Sequence, residues 1–338
     1  MSDPHPLASR VAPVALLVLL ALAPLVLPGR LWTHLLSISL IFAILSLGQN
    51  VVTGWCGMLT LGQAAFAGIG AYTSALLTMN WGVPWLLAFL AAGLLSAVIG
   101  VVLAIPCLRV KSDFLSLVTI AFNQIFFMVA NNWMDVTRGP MGLPGAPAMS
   151  VFGWTARSAA EQFWLILAVA ALLYLAVGRL TSGATGRAWK MIRDDETAAR
   201  AVGVSVTHYK VLAFGIGCML CGFAGSLYGH FLRLVSPDMF KLEDSLLMMQ
   251  MAILGGLASL PGSALGALLM VLIPEMLRSS QPWLVTLRPG LAGAILVILM
   301  IWRPEGLLGD GAPRPLMELS AGLRRMLRVG CPAGEPHP

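Results

Sequence analysis

Charge is what this sequence lacks. Only 11% of its 338 residues are charged, against 58% that are hydrophobic, and the mean hydropathy is +0.85. Soluble domains carry roughly 25% charged residues, so lipid must be the solvent for most of the chain. The short alternating segments of a membrane β-barrel are also missing. Cysteine is sparse: Cys56, Cys107, Cys218, Cys221 and Cys331 are scattered along the length. Cys218 and Cys221 form a CxxC inside an apolar stretch, with no second pair and no histidine cluster nearby. They read as small packing residues rather than as a metal or redox centre. No GxxxxGK[ST] loop, HExxH, GxSxG or paired CxxC occurs, so the chain shows neither a phosphate-binding loop nor a catalytic signature.

What is present is a succession of apolar runs of about 20 residues, the mark of transmembrane helices. Lipid offers bare backbone groups no partner, so these spans must be helical. The expected fold is an all-α polytopic membrane protein of about ten helices (8–10), with spans near 11–28, 32–53, 58–79, 86–106, 113–132, 162–180, 210–234, 243–258, 262–279 and 284–302. The first run lacks an A-x-A-like cleavage site and is taken as a span rather than a secretory signal. Gly and Pro mark turns at Pro28 and Gly29, between Gly54 and Gly57, from Gly82 to Pro84, and from Leu260 to Gly262. The segments 58–79 and 243–258 are interrupted by small and polar residues and read as broken or re-entrant helices. Together, 1–308 form one membrane domain with an outer loop at 133–161, and 309–338, rich in Pro, Gly and Arg, form a flexible cytoplasmic tail.

The basic residues orient the bundle. With both termini cytoplasmic, fourteen Lys and Arg lie inside and seven lie outside (Arg30, Arg138, Arg157, Arg233, Lys241, Arg278 and Arg288). That bias follows the positive-inside rule. It also accounts for the net charge of +6 without invoking nucleic acid. A weak internal echo links 57–65 with 256–264. It fits either a duplicated half, as in many transporters, or chance in Gly/Ala/Leu-rich sequence.

One polar island interrupts the apolar pattern, at 186–210: GRAWKMIRDDETAARAVGVSVTHYK. It reads as one amphipathic helix with Thr185 as N-cap and Gly203 as C-terminal stop. Trp189, Ile192, Ala199 and Val202 form its apolar face. Such a helix between two spans suits docking into a groove on a soluble partner. The alternative is a helix resting on the bilayer surface. The three consecutive acids Asp194, Asp195 and Glu196 weaken that alternative.

The spans hold no relay of acids or histidines. Asp113, Asp135, Glu161, Glu243, Asp244 and Glu275 all sit at span ends. A charge at mid-bilayer costs roughly 3 kcal/mol on insertion scales, and its avoidance argues against ion coupling and for an energy source outside the chain. Uncharged polar residues do lie within spans: Gln49, Asn50, Gln63, Thr119, Asn123, Gln124 and Gln250. They either meet a polar solute in transit or tie helices together. Asn50 and Gln63 flank the turn at 54–57. The spacings Gly225-xxx-Gly229 and Gly262-xxx-Gly266 permit close helix contact, read as packing within the chain rather than as a dimer seam.

The segments NVVTGWCGMLTLGQAAFAGIGAYTSALL (50–77), RVKSDFLSLVTIAFNQI (109–125), TRGPMGL (137–143), the island, FAGSLYGHFLRLVSPDMF (223–240), LGGLASLPGSALGALLMVLIPEML (254–277) and RPEGL (303–307) resemble the inner-membrane permease of branched-chain amino acid ABC importers. The likeness runs in unbroken order from about 35 to 308. It implies a non-enzymatic, cofactor-free transport subunit of the bacterial inner membrane. The implied partners are a homologous second permease, two cytoplasmic ATPase subunits and a periplasmic solute-binding protein. By the same likeness Gly186, Arg187, Trp189, Arg193, Asp194, Asp195, Glu196, Ala199, Arg200 and Gly203 form the ATPase-coupling region, and Asn50, Gly57, Gln63, Phe66, Thr119, Asn123 and Gln124 are candidates for the translocation path. Members often read TGGPNGL or TGGTNGL where this chain has Arg138 and Met141, a departure that bears on the outer mouth. The family also includes carriers of urea, short amides and aromatic carboxylates, so the solute is less defined than the family. An ion-coupled carrier and a passive channel are the other classes of function.

Overall fold

Backbone groups in lipid can be satisfied only within the chain, and the apolar runs are accordingly helical. The computed structural model describes residues 29–107, 113–151, 154–156, 158–280, 290, 293 and 306–308. Its main helices are α1 (Arg30–Asn50), α2 (Gln63–Asn80), α3 (Trp85–Cys107), α4 (Asp113–Asn132), α5 (Ala159–Ser182), α6 (Ala184–Asp194), α7 (Glu196–Ala201), α8 (Val206–Leu232), α9 (Leu242–Gly255) and α10 (Leu260–Ser280). Among the described residues, five stretches are long and apolar enough to cross a membrane: Leu31–Trp55, Trp85–Cys107, Phe114–Asn132, Ala159–Ser182 and Val206–Leu232. The chain is thus an all-α polytopic membrane protein. The spans expected at 11–28 and 284–302, and the tail at 309–338, lie outside the described residues, so the expected number of ten is not established.

The two segments read as broken depart from full spans. Residues 57–62 are not helical, and α2 begins only at Gln63. The 14 residues of α9 rise about 21 Å at 1.5 Å each, short of a hydrocarbon core of about 30 Å. The turn expected between Gly54 and Gly57 is displaced. Val51–Trp55 continue α1 as a π-helical turn, so Gly54 belongs to a helix and the chain leaves it only at Cys56.

Helix α1 is the hub. It packs on α5, α8, α9 and α10, and 89% of its apolar stretch is buried, against 22% for α4. The side of α3 that carries Leu87, Leu90, Leu94, Val98 and Val102 is exposed, a purely aliphatic face suited to lipid. Between α2 and α8 the backbones touch. Gly70 lies against Gly222 and Gly225 against Ala67, with no room for a Cβ at either. Close approach through small residues replaces the hydrophobic drive that lipid removes. The spacings read from sequence serve this internal packing: Gly225 meets Ala67, Gly229 meets Val235, Gly262 meets Gly255 and Gly266 meets Met251. Cys218 and Cys221 are buried free thiols within α8, and a Cβ at Gly48 or Gly100 would meet them.

The segment between α4 and α5 is folded onto the bundle end. Strand β1 (Leu143–Pro144) pairs antiparallel with β4 (Leu234–Val235), and β2 (Ser150–Val151) with β3 (Trp154–Thr155). Arg138 takes a left-handed conformation (φ 58°) before Gly139. His230 of α8 joins Pro147 O through Nδ1 and Ser74 Oγ through Nε2, each at 2.8 Å. A carbonyl only accepts, so Nδ1 carries the proton and Nε2 accepts from Ser74. Helix α5 then opens on a capping box: Ser158 Oγ accepts from Glu161 N (3.2 Å), and Glu161 Oε2 accepts from Ser158 N (3.1 Å).

Candidate coupling site and polar interior

The polar island is two helices, not the single one expected. Asp195 stands between α6 and α7 in an extended conformation (φ −156°, ψ 111°). Its Oδ1 accepts from Thr197 N at 2.7 Å and from Ala198 N at 3.0 Å. A short acidic side chain competes with the helix for its own backbone donors and so starts a new helix. The cap of α6 is Gly183 rather than Thr185, which lies within the first turn. Gly203 ends α7 as expected, at φ +86°, a left-handed conformation that glycine adopts without strain.

The inner face is well defined. Gly186, Ala188, Trp189, Ile192 and Ala199 are buried. Val202, expected among them, is 67% exposed because it lies past the last turn of α7. Trp189 is fully enclosed, and its Nε1 donates to Tyr209 O (2.9 Å). Two charged residues also turn toward the bundle. Arg193 Nη1 donates to Gly54 O at 2.7 Å. Glu196 accepts from Lys210 Nζ (2.7 Å) and from Arg200 Nη2 (2.6 Å), with the Lys210 side chain only 10% exposed. Arg187, Lys190, Met191, Arg193, Asp194, Asp195, Thr197, Ala198 and Arg200 are exposed. The structure therefore sorts the ten residues expected in a coupling region. Gly186, Trp189 and Ala199 seat the element, Arg193 and Glu196 tie it down, and Asp195 and Gly203 shape its turns. Arg187, Asp194 and Arg200 remain on the open side. Gly54, Tyr209 and Lys210 belong to the same construction, yet each bonds a residue at least 14 positions away. Tyr209 and Lys210 fall within the island and Gly54 at the expected turn, but no local pattern could have assigned their partners.

The path candidates are mostly interior. Asn50 is fully buried and wholly engaged: Nδ2 donates to Gly256 O (3.2 Å) and Ser259 O (3.1 Å), while Oδ1 accepts from Ala258 N (2.9 Å). It clamps the foot of α1 to the α9–α10 turn. Gln49 Nε2, one residue earlier, donates to Thr60 O (2.9 Å) and Thr53 Oγ1 (2.8 Å). Gln63 is buried, with Oε1 accepting from Cys221 Sγ (3.3 Å). Phe66 is fully buried between Phe122 and Phe214. Thr119 Oγ1 accepts from Leu61 N (3.1 Å) and donates to Ser116 O (2.9 Å). These bonds hold the non-helical residues ahead of α2. Asn123 is also fully buried, and its two amide atoms have no partner among the described residues. Gln124, the next residue, is exposed on the outward side of α4, and Gly57 is exposed beside Arg193.

Comparison with known proteins agrees with this architecture. Residues 32–302 match the model of the family described as branched-chain amino acid transport system / permease component. The chain is 35% identical to the high-affinity branched-chain amino acid transport system permease protein LivM of Salmonella typhimurium over 309 residues, which cover 85% of this chain and 71% of the relative. It is 34% identical to LivM of Escherichia coli K12, over 91% of this chain and 76% of that one. The permease protein LivH of Salmonella typhimurium is 26% identical, over 79% and 91% of the two chains. No solved structure gives a significant match. A bundle of apolar helices with a charged element seated at one end, matched along most of its length, places this chain in the branched-chain amino acid transport permease family.

Proposed function

We propose that this chain is one membrane half of an ATP-driven importer in a bacterial inner membrane. It passes branched-chain amino acids, or a related small polar solute, delivered by a periplasmic binding protein. It hydrolyses no ATP itself. Two ATPase subunits dock on α6 and α7 from the cytoplasm, and their closure displaces that element. The bundle then shifts between inward- and outward-facing arrangements, as two-state transport requires. A second, homologous permease completes the pathway. The higher identity to LivM (35%) than to LivH (26%) supports the LivM-like half of such a pair.

The observation that carries this reading is the seating of α6. Its apolar face and Trp189 are locked into the bundle, while Arg187, Lys190, Met191 and Asp194 face away from it. A surface-lying helix would turn its apolar face to lipid; this one spends that face on its own chain. That exposed face, with Arg187 and Asp194 on it, is then the surface offered to a partner.

The second permease fits the outward side of α4. Gln124 is exposed there with Leu117, Ala121 and Met128, and an amide turned to lipid has nothing to bond. A solute crossing such a seam meets Gln124, with Asn123 just behind it.

The test is reconstitution. Proteoliposomes holding this chain, a second permease and the ATPases should take up leucine, isoleucine or valine only with ATP and loaded binding protein. Uptake by this chain alone, driven by an ion gradient or running passively downhill, would refute the proposal.

A further inference from the structure

A helix leaves its last carbonyls without partners inside itself. At the foot of α1 the Gly54 carbonyl, in the π-helical turn Val51–Trp55, is met by Arg193 Nη1 at 2.7 Å. The cation also complements the negative end of that helix. Gly57, at φ +74°, packs so closely on the same side chain that an added Cβ would stand 2.9 Å from Arg193 Cγ. Gly54 is wedged in turn between the Asn50 amide oxygen and Ala258 N, with no room for a Cβ. Asn50 holds Gly256 O, Ser259 O and Ala258 N. The end of α9 behind them accepts Leu307 N at Leu254 O (3.0 Å) and Leu308 N at Gly255 O (2.9 Å). A continuous series of bonded and touching groups thus runs from the island, through the foot of α1, to the α9–α10 turn and the chain beyond α10.

π-Turns inside helices are rare and concentrate at functional sites. This one lies where the island meets the most buried span. Contiguity alone does not establish coupling, which requires an element whose arrangement both ends can bias. The π-turn is placed to serve as that element: its Gly54 carbonyl is bonded from the island, and Gly54 packs against Asn50, whose side chain bonds the α9–α10 turn.

We infer that Arg193 is a transmission residue. It passes displacement of α6 into the π-helical foot of α1, and through Asn50 into the α9–α10 turn, and it is not part of the surface that grips the ATPases. This rests on the function proposed above and assigns the step between docking and opening.

The experiment uses the complete complex of both permeases, ATPases and binding protein in proteoliposomes. With Arg193→Met, which keeps the stem against Gly57 and removes the donor, the ATPases should still co-purify and ATP should still be hydrolysed. Solute moved per ATP should fall at least tenfold, and loaded binding protein should no longer accelerate hydrolysis. Arg193→Lys, which restores a donor, should recover most of the coupling. An Arg193→Met complex that transports at the wild-type ratio overturns the inference. So does one that sheds its ATPases, since Arg193 would then be a docking group, and in that case the proposed function still stands. A wild-type chain that never retains ATPases sinks the proposed function and this inference together.

Discussion

Three hydrogen bonds converge on the Asn50 side chain, and its removal would strand the Gly256 carbonyl and the Ala258 N–H in a buried place, while Ser259 O keeps its bond from Ser263 N. At about 1 kcal/mol for each bond, Asn50→Ala should cost about 3 kcal/mol. We expect a clearly lower unfolding temperature in detergent, whereas a residue that only lined an aqueous path would leave it unchanged. Glu196, expected in the coupling region, is also bonded within the chain. Its carboxylate is shared between Lys210 and Arg200 within the chain, so Glu196→Lys should weaken the island's attachment before it disturbs any partner. Because the glutamate is partly exposed, the loss is on the order of 1 kcal/mol. The charge-swapped pair Glu196→Lys with Lys210→Glu should restore thermal stability. No recovery in the double variant would show that the contact with Lys210 is incidental.

At the scale of elements, α6 has two unlike faces, and the proposed docking uses only the outer one. Its inner face is apolar and buried, whereas Arg187 and Lys190 are exposed. Reversing both outward cations, Arg187→Glu with Lys190→Glu, should abolish ATPase co-purification while the permease accumulates normally. Retention of the ATPases would refute the assignment of this face to docking. The division into α6 and α7 was not apparent from periodicity, because an Asp within a charged run looks like one more solvated residue. Only the two backbone donors that Asp195 captures reveal it as a cap. The π-turn was hidden for a similar reason. Gly54 followed by Gly57 reads as a loop, but the space at Gly54 is filled by Asn50 and Ala258, so its glycine answers to crowding rather than to a turn.

For the molecule as a whole, the seam between α2 and α8 depends on glycine. Gly225→Leu would force the two backbones apart at Ala67, and overpacking of this kind costs several kcal/mol, roughly 1–3 even in cores with some play. We expect little folded protein, measured as the monodisperse fraction in detergent. The side of α4 makes the opposite prediction. A cysteine at Gln124, exposed on a helix whose apolar stretch is only 22% buried, should be tolerated and should cross-link to a cysteine on the proposed second permease. Modification of that cysteine by a lipid-soluble probe alone, with no cross-link at any partner position, would turn this face over to lipid.

Composition and hydropathy alone determined the membrane, the helical class, most span positions and the island. Each follows from local chemistry: apolar length, backbone satisfaction in lipid and a break in charge. The two short segments were legible for the same reason, since small and polar residues at 58–62 and 243–258 weaken a span wherever they occur. Which polar side chains bind the chain to itself was decided only by tertiary structure. Asn50, Gln63 and Thr119 look alike in sequence to any path-lining residue, and their partners lie from 3 to 209 positions away. Buried hydrogen bonds are satisfied by whatever the fold brings within about 3 Å, and that juxtaposition is a property of packed helices rather than of any one of them.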